Sequence, residues 1–145
     1  MSNRNSTHKN FPPGDDIFDL APFPMWIFDL DSLRFLKVNK EACRHYGYSE
    51  KEFLQMTIRD IRPPEDIPKL EKAVGKARKR KKIFKQSYYR HQKRDGTVIN
   101  VEIKSNLIKF KSSHAEIVTA VDITDRCEQQ QQMETQQELL SAIGE

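Results

Sequence analysis

Residues 93–110, KRDGTVINVEIKSNLIKF, constrain the fold more than any other stretch of the chain. Ile99, Val101, Ile103 and Leu107 share one phase of an alternating pattern, and Asn100, Glu102, Lys104 and Asn106 share the other. Successive side chains of a strand point to opposite faces, so this strand is apolar on one side and polar on the other. Such a strand belongs in an antiparallel sheet with one covered face. Arg94-Asp95-Gly96 supplies turn chemistry just ahead of it, and IFKQSYYRHQ ahead of that reads as its hairpin partner.

Other strands are needed to complete the sheet. Met25–Asp29 is rich in strand formers, DLDS is a turn, and Arg34–Asn39 alternates again. After KSSH, a further turn, AEIVTAVDI is the last strand. Between the two groups the period changes to that of helices. Asn39 can cap a first short helix that Gly47 stops. Ser49 and Glu52 have capping-box spacing for a second. After Pro63-Pro64 a longer helix is predicted from about Glu65, with Ile67, Leu70 and Val74 at helical spacing. Ile17–Pro24 has room for one helical turn before its prolines stop it. Two strands, several small helices and three strands make an α+β fold with the helices on one face of a single antiparallel sheet.

Composition narrows the function classes. Hydrophobic residues make up 37% of the 145 and charged ones 32%, which supports only a modest core. No run of about 18 apolar residues is available for a membrane span, and MSNRNSTHKNFPPGDD has no apolar h-region of a secretory signal. Cys43 and Cys127 lack metal spacing and read as free thiols of a reducing compartment, so the cytoplasm is the expected location. The five glycines form no G-x-G, and no H-x-x-x-H or C-x-x-C occurs. Glu65 and Asp66 suit a helix start and need no catalytic role. No catalytic constellation is found, and the chain is not expected to be an enzyme. Between Lys69 and Arg94 there are twelve Lys/Arg against one acid, Glu71. That block could serve a protein-interaction or nucleic-acid-binding module, but it lacks a groove-entering motif, so nucleic acid is not the expected partner.

Five words in order resemble a PAS domain, the sensory box of multi-domain signalling proteins: DLDSLRFLKVN, YGYSEKEF, IRPPED, KRDGTVINVEI and VDITDR. The resemblance covers about residues 17–126. It implies a five-stranded antiparallel sheet with several short helices over one face and a C-terminal signalling helix. The implied function is signal transduction: sensing a signal or small ligand, dimerising, and relaying to a linked effector such as the histidine kinase of a two-component system or a GGDEF-type cyclase. The expected organisation is a flexible leader over 1–16, the PAS domain over 17–124, and a linker or signalling helix over 125–145.

The resemblance also implies where a ligand would sit. The inner face of the sheet would present Trp26, Phe28, Leu36, Val38, Val118 and Ala120, with Ile99, Val101 and Ile103 from the second hairpin. The helices would add Tyr46, Phe53, Ile58, Ile61, Ile67, Leu70 and Val74. Simple core packing can account for most of these residues. Photochemical flavin binding is not expected, because Ile58 stands where the bond-forming cysteine would be and Ala120 where a glutamine would read the flavin edge. Haem is not expected either, since the long helix carries no histidine; His45 lies nearest the pocket. No cofactor is therefore predicted, and a bound molecule would be small and apolar. For the relay, the resemblance points to Asp122, Ile123 and Thr124. Asp122 is expected to accept a bond from the Lys93-Arg94 turn, and Thr124 or Asp125 to cap the outgoing helix.

The tail, RCEQQQQMETQQELLSAI, is made of good helix formers. Its apolar residues Met133, Leu140 and Ile143 give one and a half heptads, too few for a self-sufficient coiled coil. An isolated helix of this length is marginal in water. A homodimer through the sheet face and this helix, and continuation into an effector domain, are the expected partners.

Overall fold

The computed structural model describes residues 16–79 and 84–144. The expected leader lies outside them except for Asp16, whose side chain caps the one-turn helix α1, Ile17–Leu20. Strand β1, Met25–Asp29, and strand β2, Phe35–Val38, form the first hairpin. Its turn is held by the Asp29 carboxylate, which accepts from the backbone N–H of Asp31 at 3.1 Å and Ser32 at 2.6 Å.

Helices α2, Lys40–Tyr46, and α3, Glu50–Phe53, follow, then 3-10 turns at Ile58–Ile61 and Pro64–Asp66 and the long helix α4, Ile67–Lys79. The predicted caps are in place. The Asn39 side chain accepts from Ala42 N–H, and Ser49 with Glu52 forms a reciprocal capping box. Gly47 ends α2 at φ 88°, and a Cβ there would come within 3.3 Å of the Arg94 Cβ. Glycine is thus required twice, by conformation and by close approach.

Strands β3, Phe84–Gln92, β4, Val98–Phe110, and β5, Ser113–Asp122, complete an antiparallel sheet ordered β2-β1-β5-β4-β3. The Asp95-Gly96 turn fixes the β3–β4 register, pairing His91 with Ile99, Tyr89 with Val101 and Ser87 with Ile103. Helix α5, Thr124–Gly144, leaves directly from β5 and is exposed from Asp125 onward. Among the described residues no helix is long and apolar enough to cross a membrane.

Asn39 does more than cap. It is fully buried, and its Oδ1 also accepts from Met25 N–H while its Nδ2 donates to the carbonyls of Phe18 and Phe23. One side chain therefore ties α1, the start of β1 and α2 together, with each bond near 3.0 Å.

Two expected core positions differ. Leu36 is half-buried, and Phe35 faces the core instead, beside the expected Val38. The β1–β2 register shifts between Ile27 and Phe28, so the extra β2 residue is bulged and strict alternation fails there. Ile67, the first residue of α4, is also only half-buried, while Ile61 and Pro63 just before it are buried.

Candidate functional site

The covered sheet face carries two unlike regions. Near β2, rings interlock. Trp26 meets Phe35 at 5.9 Å and Tyr46 at 5.7 Å, both edge to face, and Phe35 meets Phe53 at 5.0 Å. These separations are those of favourable aromatic pairs. Of the expected lining residues, Val38, Tyr46, Phe53, Ile99, Val101 and Ala120 belong to the packed core and do not line the cavity beneath α4.

Between α4 and the β3 side of the sheet lies a cavity of about 40 Å³. Trp26, Phe28, Ile58, Leu70, Val74, Ile103 and Val118 line it, as expected. Polar residues that the sequence reading did not select line it too: Arg62, Lys85, Ser87, Tyr89 and Glu116. About 40 Å³ holds a few small atoms or waters. The lining is therefore less apolar than a small apolar guest would require, with two basic residues, Arg62 and Lys85.

Arg62 closes the first 3-10 turn; the residue is half-buried, and its Nε is sealed inside. Its guanidinium carbon lies 4.5 Å from the centre of the Tyr89 ring. Lys69 Nζ stands 4.9 Å from the centre of the same ring, so two cations lie close to Tyr89. The Arg62 Nε is sealed from solvent and has no hydrogen-bond partner among the described residues. Burial lowers the Arg62 pKa to about 10, which still leaves it charged at neutral pH.

Behind Trp26 and Tyr46 sits His91, completely buried on β3. The Tyr46 hydroxyl and His91 Nδ1 are 2.6 Å apart, and His91 Nε2 is unpartnered. Burial, with the Arg62 charge nearby, pushes the imidazole well below its ordinary pKa, and burial raises the Tyr46 phenol. Both groups are therefore neutral at pH 7. The signal for His91 was present in the sequence: a three-residue loop at Arg94-Asp95-Gly96 sets His91 opposite Ile99, on the apolar face.

The exit from the sheet differs in detail from the expectation. Asp122 Oδ2 lies 2.9 Å from His45 Nε2, while its Oδ1 accepts from Thr124 N–H at 3.0 Å and Thr124 Oγ1 at 2.6 Å. Partial burial opposes ionisation, but these bonds outweigh it and hold the carboxyl below its usual range. The Arg94 side chain goes elsewhere, to Glu52 at 2.6 and 2.7 Å, although its backbone N–H donates to Tyr46 O. Asp122, rather than Thr124 or Asp125, therefore takes the first helical N–H. The Thr124 hydroxyl accepts from Asn100 N–H of β4 at 2.9 Å, and Ile123, buried, donates to Asn100 O at 2.8 Å.

Much of the basic segment is used internally. Arg78 bonds the carbonyls of Leu30 and Asp31, Arg90 pairs with Asp66 and Glu65, and Lys69 donates to Tyr88 O. Cys43 and Cys127 are both free thiols. Among the described residues no His, Cys, Asp and Glu cluster could hold a metal ion.

Solved structures share the fold at low identity. A PAS domain from a two-component sensor histidine kinase superposes with a TM-score of 0.61 at 18% identity, covering 84% of this chain and 99% of that one. A PAS domain of a Colwellia psychrerythraea protein gives 0.66 at 18% identity, over 85% of this chain and 98% of the other. An RNA-binding light-oxygen-voltage receptor gives 0.67 at 17% identity, over 88% of this chain but 41% of that longer one. No curated protein matches the sequence. The family model described as PAS fold matches residues 35–121, more than half of the chain, and with the sheet order, helices and exit now described, the chain belongs to the PAS family.

Proposed function

We propose that this PAS domain is a cytoplasmic sensory module that registers a small ligand or signal at the cavity under α4 and relays it through α5 to a covalently linked effector. A histidine kinase or a GGDEF-type cyclase fits that role. The observation that carries the reading is the joint at Asp122–Thr124. Strand β5 passes into α5 without a loop, and the joint is tied at once to α2 through His45 and to β4 through Asn100. A shift of either element reaches the first turn of α5 with no slack between. Catalysis would lie in the effector, and no cofactor is needed for this role.

Helix α5 supports a dimeric arrangement. Met133, Leu139, Leu140 and Ile143 are all more than half exposed, and a 21-residue helix with this composition is weak alone. A second copy alongside would bury those side chains and fix the direction of the shaft.

Sedimentation of the full chain over a range of concentrations tests this, beside a chain ending at residue 126 and the His45→Ala variant. Concentration-dependent dimerisation is expected, lost on truncation, with His45→Ala altering amide exchange in the first turns of α5. A chain that stays monomeric throughout, with α5 exchange indifferent to His45, would sink the relay.

A further inference from the structure

The strongest unexplained group in the molecule is the Arg62 head. It lines the cavity, its Nε is sealed from solvent, and no hydrogen bond or ion pair to it is found among the described residues. The acids nearest in sequence are engaged elsewhere: Asp60 accepts from Thr57 N–H, and Arg90 holds Glu65 at 3.3 Å and Asp66 at 2.7 Å. The Tyr89 ring centre lies 4.5 Å from the guanidinium carbon, and the sealed Nε–H is left unanswered. Buried donors are paired in nearly all folded proteins, so a sealed N–H without an acceptor is costly. The in-plane fork of an arginine fits the two oxygens of a carboxylate.

The rest of the lining agrees in charge and shape. Lys85 adds a second cation and Glu116 one carboxylate, so the lining is positive on balance. Trp26, Leu70 and Val118 offer an apolar wall. The volume, about 40 Å³, limits the guest to a few non-hydrogen atoms. We infer that the cavity is a receptor for a small aliphatic monocarboxylate, gripped by the Arg62 fork with its carbon tail against Trp26, Leu70 and Val118. This rests on the reading of the cavity as the sensing site, and it replaces the apolar guest expected from the sequence with an anionic one.

Trp26 is the single tryptophan of the chain and lines the cavity, so its fluorescence reports occupancy. The full chain is titrated at matched ionic strength with sodium propionate, with propionamide as the neutral analogue, and with inorganic phosphate. A saturable change with propionate is expected, with propionamide and phosphate at least about tenfold weaker, since a charge-assisted bond is lost in one case and the fit in the other. Arg62→Lys, which keeps the charge but not the fork, is expected to weaken propionate by roughly tenfold or more. Arg62→Met is expected to abolish the response and to raise the unfolding midpoint of the unliganded chain, because an unpaired buried charge is removed. Propionate is expected to raise the midpoint of the wild type and to leave that of Arg62→Met unchanged.

Equal responses to propionate and propionamide, untouched by Arg62→Met, would overturn the carboxylate assignment and leave the sensing cavity standing. Tighter binding of phosphate would overturn it as well. No response to any of the three probes would overturn both the assignment and the cavity reading. A lower midpoint for Arg62→Met, with no propionate effect on the wild type, would make Arg62 a structural residue.

Discussion

At the β2 end of the covered face, Trp26, Phe35, Tyr46 and Phe53 meet ring against ring with no space between. At the β3 end of the same face, Arg62, Lys85, Tyr89 and Glu116 surround open volume. Both ends are roofed by helices, but by different kinds. Short capped helices, α2 and α3, press on the aromatic end, each pinned by its own side-chain caps. The long α4 covers the other end with Leu70, Val74 and Ala77, smaller aliphatic side chains that leave a gap above a polar strand. The difference separates two jobs. One end supplies stability and a fixed frame; the other keeps room and charge that stability alone does not call for.

Truncating one side chain at each end gives the largest test of that division. Phe53 is completely buried and touches Phe35, Tyr46 and Tyr48. Phe53→Ala is expected to cost about 3–5 kcal/mol in urea unfolding, the range for a large aromatic removed from a tight core. Leu70, also buried, borders the cavity. Leu70→Ala is expected to cost about 2 kcal/mol, the low end for its type, because neighbours can relax into existing space. Equal losses would erase the distinction between the ends.

The two ends were unequally legible in the sequence. Strand alternation in β4, the Asn39 and Ser49 caps, the Gly47 stop and the order of elements along the chain could be read, because each follows from local periodicity or cap chemistry. The aromatic end follows largely from these, except at Phe35, where a bulge puts two β2 residues of the wrong spacing inward. The hollow end could not be read in the same way. Strand β3, FKQSYYRHQ, has no apolar alternation, and its inner face of Lys85, Ser87, Tyr89 and His91 is polar. Local pattern assigns such residues to solvent; only the hairpin register places them inside. Arg62 was hidden for another reason. It follows a 3-10 turn, and its direction depends on Tyr89, which is 27 positions away. The Asp122–His45 pair spans 77 positions and is likewise a product of tertiary closure.

His91 stands where the two ends meet, and its titration sharpens the comparison through pH. Its folded pKa is lowered, so the unfolded chain binds the proton first as pH falls. Its contribution is present above the ordinary histidine range, near 6.5, and is lost progressively below it. Between about pH 6.5 and the onset of carboxylate titration, wild-type stability is expected to fall by up to about 1.4 kcal/mol per pH unit from this residue. His91→Gln keeps a polar partner for the Tyr46 hydroxyl but does not titrate. Its stability is expected to be flatter over that window, as followed by urea midpoints at a series of pH values. A parallel slope in the two proteins would show that His91 is not held neutral by its burial.

The smallest effect discriminates most directly between packed and hollow, because it adds a single methylene at each end. Val38 lies in the core on β2, paired with Trp26, and does not line the cavity beneath α4. Val38→Ile must displace rings already in contact, and it is expected to destabilise by about 1 kcal/mol or more. Val118 is as buried as Val38 but borders the cavity. Val118→Ile can project its extra carbon into that space, and it is expected to change stability by no more than about 0.5 kcal/mol, with stabilising sign, as cavity filling does. The same substitution should still intrude on a guest, so propionate binding is expected to weaken in Val118→Ile and to be unchanged in a folded Val38→Ile. Thermal unfolding with and without propionate reads both quantities in one experiment. If Val118→Ile costs as much as Val38→Ile, the β3 end is packed as tightly as the β2 end and the site has no room to sense anything.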